Sequence, residues 1–143
     1  MPLAVLSRDE AVRIARAAVP EISAPEAWAY LVERLDGGAD YYLVVLSAGA
    51  AARAVVRLEA GSGTVLGSAR LTGGRSPVVV DAAAAIVHSG LSGATEATLV
   101  WRPCSASMSP LSPIWRVHGG GATVYVDQAG KRWADLVPAG RGG

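Results

Sequence analysis

The chain has no phenylalanine and no asparagine, one lysine (Lys131) and one cysteine (Cys104). A lone cysteine excludes an intrachain disulfide and any zinc cage built on cysteines, and leaves the redox compartment open. Absent too is any run of about 18 apolar residues, so no membrane-spanning helix is expected. The N-terminus lacks the charged, apolar and cleavage regions of a signal peptide. Twelve of the 13 basic residues are arginine, a bias that reads as GC-rich coding and gives the arginine count no functional weight. With a net charge of +1 and no clustered Lys/Arg stripe, the sequence offers no electrostatic field to hold nucleic acid. Aromatic residues make up only 6%. Since 51% of the chain is apolar, a core is affordable only from Val, Leu and Ala with a few Trp and Tyr, and the large side chains must carry unusual weight.

What is present is a repeat. Residues 41–66, YYLVVLSAGAAARAVVRLEAGSGTVL, return in shorter form at residues 114–133 as IWRVHGGGATVYVDQAGKRW. Each copy opens with an aromatic residue among alternating apolar ones, passes a small-residue turn, and ends a β-branched run at an acidic residue, a Gly turn and another strand. The polar segment TGGRS at residues 72–76 marks the boundary. The expected fold is therefore α+β, with two tandem repeats over residues 1–72 and 73–143, each one helix packed on a four-stranded antiparallel sheet.

Ser7 and Glu10 have the spacing of a capping box and predict a helix over residues 8–19, with Ala11, Ile14, Ala15 and Ala18 on its buried face and Pro20 as its stop. Strands are expected at residues 26–35, 41–47, 53–59 and 64–71. In the third, Ala54, Val56 and Leu58 alternate with Arg53, Arg57 and Glu59, which predicts one core face and one solvent face. The second helix is expected over residues 77–89, with Val80, Ala83, Ala84 and Val87 inward and Gly90 as a left-handed cap. Further strands are expected at residues 95–102, 114–118, 122–127 and 131–136, followed by a frayed tail at residues 141–143.

The copies differ at residues 103–113, PCSASMSPLSP, where a long Pro- and Ser-rich loop replaces the short DGGAD. Long loops in compact domains are often functional. Met108, Leu111 and Trp115 are the candidate partner-binding residues, an apolar anchor of the kind found at protein interfaces. The competing reading has Met108 and Leu111 folded back over a sheet edge, and most of the four tryptophans, Trp28, Trp101, Trp115 and Trp133, filling the core. Cys104 and His118 form a nucleophile pair only if the loop brings thiol and imidazole within about 3 Å. As a loop thiol and a polar-face strand residue they need no catalytic role. His88 falls in the last turn of its helix, where a cation suits the dipole. The runs Gly61-Ser62-Gly63 and Gly119-Gly120-Gly121 match no phosphate-binding motif and read as hairpin turns. No catalytic, metal-binding or cofactor-binding set is expected.

Each half resembles the PepSY domain family. The resemblance is carried by SRDEAVRIARAAVP at residues 7–20, YYLVV at 41–45, VRLEAGSGTVL at 56–66, PIWRV at 113–117 and VYVDQAGKRW at 124–133. Glu59 with Gly63, and Asp127 with Gly130, stand where the family closes with an acidic residue, a Gly and an apolar strand. The first copy has Glu for Asp, and the second is one residue shorter. The resemblance implies a cystatin-like fold, an extracytoplasmic setting, a protein partner such as a peptidase, and a binding or regulatory role with no catalytic residues. The Gln-Val-x-Gly type hairpin of true cystatin inhibitors does not occur. Two alternatives accompany that reading: a structural domain that self-associates through strand edges, and a small-ligand pocket between the repeats.

Overall fold

The computed structural model describes residues 5–94 and 96–137. Among them the chain is α+β, with elements in the order α1 (Arg8–Ala18), β1 (Glu26–Arg34), β2 (Tyr41–Ala48), β3 (Ala51–Glu59), β4 (Val65–Arg70), α2 (Ala82–Ser89), β5 (Glu96–Trp101), β6 (Ile114–Gly119), β7 (Ala122–Val126) and β8 (Arg132–Trp133). The tail expected at residues 141–143 and the strand start expected at Thr95 lie outside the described residues. Two compact units result: Met1–Val32 with Ala39–Pro77, and Glu33–Gly38 with Val78–Gly143. Among the described residues no helix is long and apolar enough to cross a membrane.

In the first unit the strands lie in the order β4-β3-β2-β1, every neighbour antiparallel. α1 starts where the sequence says it should. Ser7 Oγ accepts from the Glu10 N–H at 3.1 Å and Glu10 Oε1 accepts from the Ser7 N–H at 3.2 Å, so two backbone donors that the first turn strands are satisfied reciprocally. Ala11 and Ala15 are fully buried, which lets the helix lie close on the sheet. Ala18 is exposed, contrary to expectation, and Val19 is buried instead, because the chain leaves helical geometry at that residue (φ −132°, ψ 62°). The Tyr42 hydroxyl donates to the Leu6 carbonyl at 2.5 Å and anchors the entry to α1 on β2.

The middle of this sheet corrects the expectation of one core face and one solvent face. Val55 is as buried as Val56, and on β2 the six residues from Tyr41 to Leu46 are all buried. A strand buried on both faces needs an unbroken apolar run, and YYLVVL is one. Arg57 contributes by lying over the Tyr41 ring, 5.4 Å from its centroid.

In the second unit β5, β6, β7 and β8 follow one another antiparallel, while Glu33 and Arg34 at the end of β1 run parallel to Val100 and Trp101 of β5. The strand pairing is therefore mixed. α2 begins five residues later than expected. The N–H groups of Val79 and Val80 both donate to Gln128 Oε1, at 2.8 and 2.9 Å, and the Val80 carbonyl accepts from the Trp115 indole at 2.7 Å. With these donors and this acceptor taken by side chains of β6 and the β7–β8 turn, the VVV segment stays outside the helix. Asp81 then caps the helix through the Ala84 N–H at 2.7 Å. Ala85 and Ser89 form the buried face, and Val87 is 78% exposed. An apolar stretch on all sides gives no polar stripe by which to read the buried one. Gly90 adopts the expected left-handed cap at φ 67°. Ser89 is buried without cost because its hydroxyl donates to the Ile86 carbonyl and accepts from the Leu91 N–H. β8 stops at Trp133, short of the expected 136, since the chain bends at Ala134 and Asp135 before Leu136 is buried.

Arg34 and Asp36 make the turn after β1 rigid. The guanidinium bonds the carboxylate twice, Nε to Oδ1 at 2.9 Å and a terminal nitrogen to Oδ2 at 2.5 Å, while lying over the Trp101 ring at 5.0 Å. The Gly38 N–H adds a third bond to Oδ1 at 3.2 Å. The hydrogen bond from Arg34 lowers the Asp36 pKa, against a smaller upward push from burial and with further help from the Gly38 N–H. A carboxyl that holds its proton less tightly when folded stabilises fully above its unfolded value of about 3.9, and the contribution fades as pH falls through the folded value. The stability advantage over Asp36→Asn should therefore be about 1 kcal/mol near neutrality and shrink towards zero in acid. Paired urea titrations at a series of pH values check it. A gap that stays constant with pH contradicts the assignment.

Candidate protein-binding face

The two faces of the second sheet have different fates, and the register shows which side chains share each. The row Leu99, Trp115, Val126, Arg132 crosses all four strands on one face. Leu99, Trp115 and Val126 in it are buried, Trp115 bonds the carbonyl of Val80, and Arg132 donates to the Ser89 carbonyl at 3.1 Å, at the C-terminal end of α2. α2 covers this face.

The neighbouring row on the other face is Thr98, Arg116, Tyr125, Trp133. Beside it runs a second row, Glu96, His118, Thr123. Thr98, Glu96, His118 and Thr123 are exposed; Arg116, Tyr125 and Trp133 are half-buried. The side chains are held in place by their own contacts. Arg116 pairs with Glu33 at 2.7 Å, and its Nε is buried with no hydrogen-bond partner among the described residues. Thr123 Oγ1 and His118 Nδ1 are 2.6 Å apart. The Trp133 indole donates to Asp127 Oδ2 at 2.9 Å, and the Lys131 ammonium sits 4.2 Å from the centre of a Trp133 ring. Asp127 can do this because its Oδ1 is itself fixed by the N–H groups of Ala129 and Lys131, both at 2.9 Å.

At the other end of this face lies a small buried cluster of Val100, Cys104, Ile114 and Leu136, with Leu35, Ala106 and Tyr125 packed on it. Residues 103–113 thus fold back on the sheet through Cys104 and Ala106. The Gln128 amide closes the far end of the loop by donating to the Pro113 carbonyl at 2.9 Å. Of the three anchor residues expected from sequence, Met108 is 67% exposed, Leu111 is half-buried and Trp115 is 7% exposed beneath α2. They do not form one exposed patch, because β6 turns Trp115 to the face opposite Arg116 and His118. Cys104 and His118 are not brought together either. The thiol is fully buried with its Sγ 3.6 Å from the Ser107 carbonyl, at the Ile114 end of β6. His118 lies four residues further on, about 13 Å along the strand.

Two tryptophans, Trp101 and Trp115, fill core positions as expected; Trp133 is half-buried and Trp28 is 52% exposed. Trp28 packs edge-on to Tyr30 with Arg8 over its ring at 5.0 Å. Sequence reasoning passed over the Thr98–Trp133 row. The signal was in β6, where Arg116 and His118 alternate with Trp115 and Val117. That alternation places a cation and an imidazole on a face whose neighbours, Tyr125 and Trp133, are identifiable only once the register is known.

The face joins Trp, Tyr and Arg, the side-chain types that dominate binding energy at protein interfaces, with hydroxyls and charges of both signs. Among the described residues no group of three or more His, Cys, Asp or Glu is placed to hold a metal ion. Comparison with known proteins finds no matching family model, no matching curated protein and no matching solved structure.

Proposed function

We propose that this chain is a non-enzymatic binding module made of two PepSY-like units, that its partner is a peptidase whose activity it regulates, and that the partner docks on the open face of the second unit. The observation that carries the docking site is the row Thr98, Arg116, Tyr125, Trp133, in which Arg116 and Trp133 are held by an ion pair and a hydrogen bond, partly exposed on a sheet whose other face α2 covers. Side chains already fixed lose little entropy on binding, which favours affinity.

The repeat is supported by the two acidic turns. In the first, the Glu59 N–H donates to the Thr64 carbonyl and the Gly63 N–H to the Glu59 carbonyl, both at 2.8 Å. In the second, the Asp127 N–H donates to the Lys131 carbonyl and the Gly130 N–H to the Asp127 carbonyl, both at 3.0 Å. Gly63 and Gly130 have φ of 77° and 82°, a region that only glycine enters without strain. One turn design therefore occurs twice, one residue shorter the second time. Each unit also opens on a helix capped by a polar side chain, Ser7 or Asp81.

Capture from lysate and culture medium of the source organism, followed by titration of the captured peptidase and assay of its activity, tests the proposal. Thr98→Arg places a bulky cation at the β5 end of the row, beside Arg116 and at an exposed position, and Trp133→Ala removes the row's largest side chain. Each should weaken binding by about 30-fold, the equivalent of about 2 kcal/mol. Unchanged affinity for both variants removes the docking site. A saturating complex with unaltered peptidase activity removes the regulatory role.

A further inference from the structure

β4 is the last strand of the first sheet, and among the described residues it pairs on one side only, with β3. Five of its six residues are exposed, including Val65 at 43% and Leu66 at 40%. Edge strands are ordinarily protected by proline, lysine, inward-pointing charge or extreme shortness. β8, the other terminal strand, follows that rule with two residues. β4, VLGSAR, contains no proline and no lysine, and its one charge, Arg70, lies 3.6 Å from Glu21 of its own chain.

The backbone groups it offers can be identified. The Leu71 N–H donates to the Arg53 carbonyl at 2.8 Å, so residues 53 and 71 form a hydrogen-bonded pair. In an antiparallel ladder such pairs alternate with pairs whose N–H and C=O groups point away from each other. Val55 with Ala69 then points inward, while Ala54 with Arg70 and Val56 with Ser68 leave the N–H and C=O of Ser68 and Arg70 directed outward. Below Gly67 the register shifts at a bulge, which ends the regular edge. Two residues therefore present four free backbone groups in sequence.

We propose that β4 is the docking strand for the β4 of a second copy of this chain, paired antiparallel about a two-fold axis at Ala69. In that register Ser68 of each copy lies opposite Arg70 of the other, and all four outward groups of both strands find partners. Ala69 meets its own counterpart in a non-hydrogen-bonded pair, where the strands approach to about 4.5 Å between Cα atoms and a small side chain fits. No like charges lie directly opposite, since each Arg70 faces a serine and is 3.6 Å from Glu21 of its own chain. A two-fold contact of this kind closes on itself and stops at a dimer. The inference is independent of the open face of the second unit, and it makes the self-association weak and reversible, because one short strand pair buries little surface.

Ala69→Cys tests it. Cys104 is fully buried, so the introduced thiol is the accessible one in that variant. Under mild oxidation Ala69→Cys should form a disulfide-linked dimer of twice the 14.6 kDa chain mass, because its Cα separation lies within disulfide range. Ser68→Cys should not, because in this register position 68 faces Arg70 and lies too far from position 68 of the other copy. Without oxidant, sedimentation velocity should show a monomer–dimer equilibrium that moves with concentration. Ser68→Pro deletes an outward N–H at an edge where proline is tolerated, and should shift that equilibrium to monomer with circular dichroism unchanged. Concentration-independent monomer mass, or cross-linking of Ser68→Cys as efficient as that of Ala69→Cys, overturns the proposal.

Discussion

Replacing Trp115 with alanine should cost the protein about 3–5 kcal/mol, read as a fall in the urea midpoint at unchanged slope. The indole is 7% exposed, in the row with Leu99 and Val126 beneath α2. Its removal leaves a cavity, and in addition it strands the Val80 carbonyl, which accepts the indole N–H at 2.7 Å. An unsatisfied buried acceptor costs about 1–3 kcal/mol. Trp115→Phe keeps most of the volume and loses the donor, so it should fall between wild type and Trp115→Ala, close to that smaller figure. Against a total stability of about 5–15 kcal/mol, Trp115→Ala brings the second unit near its unfolding threshold. A loss under about 1 kcal/mol for the alanine variant contradicts this placement of the indole. The same residue also separates stability from binding. Because Trp115 points away from Arg116 and Tyr125, Trp115→Phe should leave partner affinity intact while Trp133→Ala lowers it.

Local chemistry with an intrinsic signal was legible in the sequence. Ser7 with Glu10 fixed the start of α1, Gly90 the end of α2, and the acidic residue and Gly of each turn fixed the sites of Glu59–Gly63 and Asp127–Gly130. Features set by distant partners were not legible. VVV before α2 has no feature of its own that keeps it out of the helix; Gln128 and Trp115, 48 and 35 residues away, hold it there. The anchor of Met108, Leu111 and Trp115 grouped residues close along the chain, but strand alternation sends Trp115 to the helix face. The open face was hidden for the converse reason. Thr98, Arg116, Tyr125 and Trp133 are scattered over three connections and meet only through register, which a period-two pattern constrains but does not identify.

Leu58→Ala should be a costly leucine truncation in the cluster under α1, towards the upper end of the usual range of about 2–5 kcal/mol. The reason is compositional. The buried cluster under α1 holds twelve residues, and six of them are alanine: Ala11, Ala15, Ala24, Ala29, Ala54 and Ala60. Only Tyr42, Leu46 and Leu58 are larger than valine. A cavity costs less where long neighbours can swing into it. Alanine has no rotamer to offer, and the β-branched Val44 and Val56 are restricted at χ1. Nor can α1 settle further, since Ala11 and Ala15 already allow its close approach and the Tyr42 hydroxyl holds the Leu6 carbonyl at the helix entry. Leu58→Val, which removes one methylene, should cost only about 1 kcal/mol. Urea titrations of the two variants check the ratio between them. A Leu58→Ala loss near 2 kcal/mol would mean that the cluster collapses around the gap, and that an alanine-rich core adapts more readily than its short side chains suggest. The shortage of aromatics thus becomes a mechanical property: few large side chains inside the cluster, with the other long ones, Leu6, Ile14 and Ile22, only partly buried against it.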